Sequence, residues 1–214
     1  MEIESKLISL VLVDDHPGVR RGIGDILRSA GDISVVGEGE NGADAFALAL
    51  TKKPDIILLD VELPDERGDI VMRRILDELP DTKVLAVSAY QDRQYILEML
   101  GNGASGYITK DEVSSTLLSA IRKIIRDEKN WISKHTLIKV TLANSPAVTL
   151  TTKEIEILEL LIQDKAEFAI AETLEMEEIQ VKQYLELLMQ KYRVDSLSAL
   201  KVIARHYFLD LNSD

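Results

Sequence analysis

The sequence has no cysteine, so neither a disulfide framework nor a thiolate metal site can form, and a reducing cytoplasm is the natural setting. It also lacks any apolar run approaching the ~18 residues that a membrane span needs. The start, Met1-Glu2-Ile3-Glu4, is acidic, and the expectation is a cytoplasmic chain without an anchor and without a membrane partner. Positive charge is scarce: 25 basic residues stand against 37 acidic ones, a net charge of -12. Such a balance suits a signalling protein and works against non-specific attraction to a phosphate backbone. The histidines His16, His135 and His206 lack metal-ligand spacing, so no zinc site is expected. Internal repeats and low-complexity tracts are absent as well.

What is present is enough apolar material, 46% of 214 residues, for two modest cores. Short apolar runs recur at Ile8 to Val13, Ile33 to Val36, Ile56 to Leu59, Val84 to Val87 and Gly106 to Thr109. Near-continuous runs of this length suit strands buried on both faces. Between them, helical spacing covers Val19 to Arg28, Ala43 to Leu50, Ile70 to Leu79, Tyr95 to Leu100 and Val113 to Ile125. Five alternations imply an α/β, doubly wound, five-stranded parallel sheet covered on both sides. Gly37-Glu38-Gly39-Glu40 lacks the lysine and helix context of a phosphate loop and reads as a turn. The pattern divides the chain into a first domain at 1–127, a linker at 128–146 that includes Ala143-Asn144-Ser145-Pro146, and an all-α domain at 147–214.

In an open parallel sheet, ligands collect beyond the carboxyl ends of the strands. Those ends supply Asp14 and Asp15, Asp60, Ser88 and Lys110. Taken alone, Asp14-Asp15 before His16-Pro17 would be a helix cap; five polar positions at strand ends read instead as one pocket. Crowded carboxylates repel unless a hard divalent cation lies among them, and Mg²⁺ favours such oxygen ligands. With the cation in place Asp60 is a candidate nucleophile toward phosphorus, Lys110 a point charge for phosphoryl oxygens, and Ser88 a hydroxyl donor to one of them. Phosphotransfer of this kind is self-modification, so the chain is not expected to be an enzyme.

Val11-Leu12-Val13-Asp14-Asp15-His16-Pro17, Asp60-Val61-Glu62-Leu63-Pro64 with Gly68, Val87-Ser88-Ala89 and Gly106-Tyr107-Ile108-Thr109-Lys110 resemble the receiver domain of two-component response regulators, a CheY-like, flavodoxin-like fold, over roughly Leu7 to Asp127. The resemblance implies phosphorylation of Asp60 by a sensor histidine kinase. It also implies a metal site of Asp14, Asp15, Asp60 and the Glu62 main-chain carbonyl, and a switch in which Tyr107 changes rotamer with Ser88.

Helical periodicity in the second half covers Lys153 to Ile162, Glu167 to Leu174, Ile179 to Tyr192 and Ser196 to Phe208. Leu150-Thr151-Thr152-Lys153-Glu154, Ile170-Ala171-Glu172-Thr173-Leu174, Val181-Lys182 and Val194-Asp195-Ser196 resemble the helix-turn-helix output domain of NarL/FixJ/LuxR-type regulators. That resemblance implies a transcription regulator binding double-stranded DNA through Glu178 to Tyr192, as a homodimer when phosphorylated. Val181, Leu185, Leu188 and Tyr192 form a buried stripe on that helix, which leaves Gln180, Lys182 and Gln183 as candidates for adenine edges or phosphates. The family pattern is broken at Ile179, Glu177 and Tyr184, and Asp164 to Ala169 replaces its glycine-containing turn. From Ala147 on, 7 basic residues face 13 acidic ones, so the alternative is a phosphorylation-controlled protein-interaction module with little DNA affinity. Leu197, Leu200, Ile203 and Phe208 on the last helix either cap the core or form a dimer contact.

Overall fold

The structure, a computed structural model, describes residues 7–89, 93–126, 131–133, 136 and 150–211, with main chain alone at 94 and 206–211. It divides into two compact units, Met1–Thr136 and Leu137–Asp214.

The first unit runs β1 (Ile8–Val13), α1 (Pro17–Arg28), β2 (Ile33–Gly39), α2 (Gly42–Lys52), β3 (Ile56–Asp60), α3 (Gly68–Glu78), β4 (Lys83–Ser88), α4 (Arg93–Gly101), β5 (Gly106–Thr109), α5 (Val113–Ile125) and β6 (Trp131–Ile132). The sheet order is β2-β1-β3-β4-β5-β6, parallel throughout. Alternate residues Leu10, Leu12, Ile56, Leu58, Leu85 and Val87 pack with Ile23 and Leu27 of α1 and Leu117, Ile121 and Ile124 of α5. Their neighbours Val11, Val13, Ile57, Leu59, Val84 and Ala86 are equally buried, which is why the strands read as unbroken apolar runs. Each fully buried Leu or Ile contributes about 1.5–3 kcal/mol, so the strand ends are held by a stiff platform.

Two expectations need correction. The sheet has six strands rather than five: Trp131 donates its amide to Ser105 O at 2.9 Å and pairs with Gly106, and a two-residue strand is too short to show a period. Gly37 and Gly39 also lie inside β2 and not in a turn. A Cβ at Gly37 would stand 2.9 Å from Leu48 Cδ2, and one at Gly39 2.8 Å from Asp44 Cβ. The glycines let α2 approach the strand, and the register slips by one residue between Leu10 and Val11 to pass them.

The second unit is helical among its described residues: α6 (Thr152–Ile162), α7 (Glu167–Thr173), α8 (Glu178–Tyr192) and α9 (Leu197–Leu211). Val181, Leu185, Leu188 and Tyr192 are the buried stripe of α8, and Ala199, Leu200, Val202 and Ile203 of α9 are buried too. The side chain of Phe208 lies outside the described residues. Asp164 takes a left-handed backbone, φ 61°, supplying the geometry a glycine usually provides. Its carboxylate then holds Lys201 at 3.0 Å and Arg205 at 3.1 Å on α9.

Thr151 caps α6 in a capping box with Glu154. Glu154 is 2% exposed; it accepts from Thr151 N at 2.8 Å and pairs with Lys191 of α8. Burial pushes the Glu154 carboxyl up, but the bonds from Lys191 and Thr151 outweigh it and leave its pKa lowered. A depressed acid stabilises the fold above its unfolded pKa and loses that contribution as pH falls through the folded value. Glu154→Ala is expected to cost the second unit about 1–3 kcal/mol in urea unfolding at neutral pH, with the difference from wild type shrinking in acid.

Candidate functional site

β1 and β3 are neighbours in the sheet though not in sequence, so the strand order reverses between them, and the crevice beyond their carboxyl ends is the ligand-binding position of this topology. Asp60 ends β3 and Ser88 ends β4; Asp14 and Lys110 directly follow β1 and β5. The side chains of Asp14 and Asp60 are 1% and 2% exposed. Lys110 Nζ lies 2.6 Å from Asp60 Oδ2 and 2.9 Å from Asp14 Oδ2. Asp14 Oδ1 accepts from His16 N at 2.8 Å and Asp60 Oδ1 from Glu62 N at 3.1 Å. Asp14 Oδ2 is buried and has the ammonium as an ionic neighbour, yet it receives no hydrogen bond of good geometry.

The electrostatics follow from this crowding. Burial raises the Asp60 pKa even though Lys110 and the Glu62 amide favour its charged form. Burial also works against the Lys110 ammonium, but its bonds to Asp60 and Asp14 prevail and its pKa is raised. Asp14, Asp15, Asp60 and His16 each offer a ligand atom within 4.8 Å of the others. Three clustered carboxylates, two of them sharing one ammonium, make an oxygen-rich set that fits a hard divalent cation such as Mg²⁺.

Ser88 is fully buried, and its carbonyl accepts from Lys110 N at 2.8 Å. Its hydroxyl is hydrogen-bonded to that of Tyr107, whose phenol is held above the ordinary range by burial first of all. Tyr107 is wholly inside the domain. The three residues bring β4 and β5 into one polar cluster beside Asp60.

In the second unit the three residues singled out for DNA contact are not equivalent. Gln180 closes a capping box on α8, its Oε1 accepting from Glu177 N at 3.1 Å. Lys182 pairs with Glu178 at 3.0 Å and Glu167 at 3.7 Å, and the Glu178 bond raises its pKa. Gln183 is exposed, next to an Ile179 that is 56% exposed.

Residues 10–122 match the response regulator receiver domain family, and residues 148–204 match the luxR family of bacterial regulatory proteins. The chain is 31% identical over 201 residues to the oxygen regulatory protein NreC of Staphylococcus carnosus, covering 88% of this chain and 93% of that protein. The chain belongs to the two-component response regulators with a LuxR-type output domain. Among solved structures, the response regulator ChrA of a heme-sensing two-component system aligns with a TM-score of 0.54 and 30% identity, over 95% of this chain and 98% of that one. A complex of the response regulator RcsB with DNA aligns at TM-score 0.60 and 20% identity, over 93% and 98% of the two chains, a likeness of fold. In class this response regulator is therefore a DNA-binding regulator of transcription, and among its described residues no helix is long and apolar enough to cross a membrane.

Arg20 and Asp65, which brace this response regulator's site, carried no sequence signal. Arg20 Nη1 donates to Asp14 O at 2.6 Å and its Nη2 to Glu40 Oε1 at 2.6 Å, bracing the acidic corner from α1. His16 has Nδ1 2.5 Å from Asp15 Oδ1. Asp65 accepts from Gly42 N at 2.8 Å and Ala43 N at 3.0 Å, tying the loop after Asp60 to the start of α2. Gly68 packs on the end of β3, where a Cβ would sit 2.8 Å from both Asp60 O and Val61 Cα. Backbone cannot yield as a side chain does, so Gly68→Ala is expected to lower thermal stability by about 1–3 kcal/mol and to slow modification of Asp60 by a small acyl phosphate. Unchanged melting and labelling would show that the loop absorbs the methyl group.

Proposed function

We propose that this response regulator is cytoplasmic, that Asp60 is its phosphoacceptor and that a sensor histidine kinase is the donor. The observation that carries the reading is the convergence of Lys110 on both Asp60 and Asp14 at the reversal point of the sheet. In the transfer an Asp60 carboxylate oxygen forms a bond to phosphorus while the bond from phosphorus to the donor's imidazole nitrogen breaks, its electron pair leaving with the nitrogen. Lys110 shifts its charge from the carboxylates to the incoming phosphoryl oxygens, and the Glu62 amide keeps the Asp60 carboxyl oriented. Ser88 exchanges its bond with Tyr107 for one to a phosphoryl oxygen, which makes the pair a sensor of modification. Asp14, Asp15, Asp60 and the Glu62 main-chain carbonyl would hold Mg²⁺, which when bound would supply positive charge to offset that of the carboxylates and the transferred phosphoryl oxygens.

The output is DNA binding through α8, strengthened by pairing of two phosphorylated copies. Gln183 and Ile179 are the free contacts on that helix, for an adenine edge and a thymine methyl group. Most of the unit's cations are spent on its own acids: Lys153, Lys182, Lys191, Lys201 and Arg205 are all ion-paired. Few phosphates are then neutralised, and affinity rests on shape and apolar contact more than on counterion release.

Asp60→Asn is expected to abolish acid-labile phosphate incorporation from acetyl phosphate with Mg²⁺; labelling at the wild-type level refutes the assignment. Phosphorylated wild type should bind its own upstream DNA with a log affinity against log salt slope no steeper than about -3 per bound domain, and Asp60→Ala should bind more weakly. Complete failure to retain that DNA at low salt would overturn the output reading in favour of a protein-interaction module.

A further inference from the structure

A buried carboxylate outside the phosphoacceptor pocket joins it to the last stretch of the receiver unit. Glu112, 9% exposed, precedes α5. Its Oε2 accepts from Thr109 Oγ1 at 2.9 Å and from Thr136 Oγ1 at 2.9 Å, and its Oε1 accepts from Ser133 Oγ at 2.5 Å. Ser133 Oγ in turn accepts from Thr136 N at 3.0 Å. The Glu112 amide donates to Thr109 O at 2.9 Å, closing the turn that carries Lys110. One side chain thus receives hydroxyls from the end of β5 and from both described residues that follow β6.

We propose that Glu112 is a positioning residue that fastens residues 131–133 and 136 to the rim of the pocket, so that phosphorylation at Asp60 alters how firmly they are held. The second clause rests on the Asp60 reading above; the first does not. Hydrogen bonds to a charged acceptor are roughly twice as strong as neutral ones, and the burial of this carboxylate makes its three donors interdependent. Lys110 is two residues away along the same turn, so its movement from carboxylates to a phosphoryl group pulls on the base of Glu112. The segment so fastened is the one from which the chain continues toward the output unit, and β6 exists only while it stays in place.

Trp131 is the sole tryptophan of the chain, so intrinsic fluorescence reports on this segment directly. Acrylamide quenching of Trp131 and exchange of its amide, which is bonded to Ser105 O, should be measured on the full chain for wild type, Glu112→Gln and Thr136→Val, with and without acetyl phosphate and Mg²⁺. Both variants are expected to raise exchange of the Trp131 amide about tenfold, the effect of one lost charge-assisted hydrogen bond, while protection of the Leu58 and Leu85 amides stays at wild-type level. In wild type, phosphorylation should change quenching and exchange at Trp131; in Glu112→Gln that response should be lost, although phosphate on Asp60 accumulates as in wild type. Thr136→Val keeps the carboxylate and guards against a misfolded Glu112→Gln. Trp131 exchange within twofold of wild type in Thr136→Val overturns the fastening, and a phosphorylation response that survives Glu112→Gln overturns the coupling. Absence of label on wild-type Asp60 defeats the phosphoacceptor reading and the coupling with it, while the comparison without acetyl phosphate still decides the fastening.

Discussion

Excess negative charge at the rim of the sheet is the constraint around which the receiver unit is organised. Asp14, Asp15 and Asp60 face one ammonium, Lys110, and each like-charged pair at about 4 Å costs on the order of 4 kcal/mol at an effective dielectric of 20. Such a cluster persists only on a platform that cannot relax, which the doubly buried β1 and β3 provide. The same imbalance gives the site its chemistry. A phosphoryl group adds nearly two further negative charges, so under the proposal that Asp60 is the phosphoacceptor every cation within reach would have to rearrange. Lys110 is the resident one, and its backbone is tied to Ser88 and, through the turn at Thr109, to Glu112. On that proposal local charge would be converted into displacement along β4, β5 and the start of α5.

The second unit handles charge in the opposite way. Lysines and arginines that could face a phosphate backbone are paired with acids of the same unit: Lys191 with the capping glutamate of α6, Lys201 and Arg205 with Asp164, Lys182 with Glu178. The Asp164 turn replaces a glycine and thereby gains a carboxylate that α9 uses. Stability is obtained at the expense of the electrostatic term that most helix-turn-helix domains rely on. Under the proposed output, recognition would fall to exposed groups such as Gln183 and Ile179, which discriminate between bases better than they attract DNA in general.

Strands, most helices and the strand-end residues were legible because burial on both faces writes an apolar run and because the chemistry sits where each run stops. The cap made by Thr151 and Glu154 is likewise a local contact, within four residues of chain. What escaped notice shares one physical cause: contacts between residues distant in sequence. Glu112 meets Ser133 and Thr136, 21 and 24 residues away, Asp65 meets Gly42, and Arg20 meets Glu40; none of these leaves a period or a motif. β6 was missed because two residues carry no alternation, and the glycines of β2 were misread because close helix approach and a turn select the same residue.

A net charge of -12 suggests a molecule dominated by surface repulsion, but among the described residues five acids, Asp14, Asp60, Asp69, Glu112 and Glu154, are buried. Asp69 holds Arg67 at 2.9 Å and Arg73 at 3.1 Å, Glu154 holds Lys191, and Glu112 accepts from the hydroxyls of Thr109, Ser133 and Thr136. Each works as an internal joint whose interactions salt screens weakly. The surface ion pairs, such as Lys153 with Glu156 at 2.8 Å, contribute little and are easily screened. Ionic strength therefore acts on this protein mainly through what it binds, and the joints that define the pocket and the caps hold across the salt range over which DNA affinity varies.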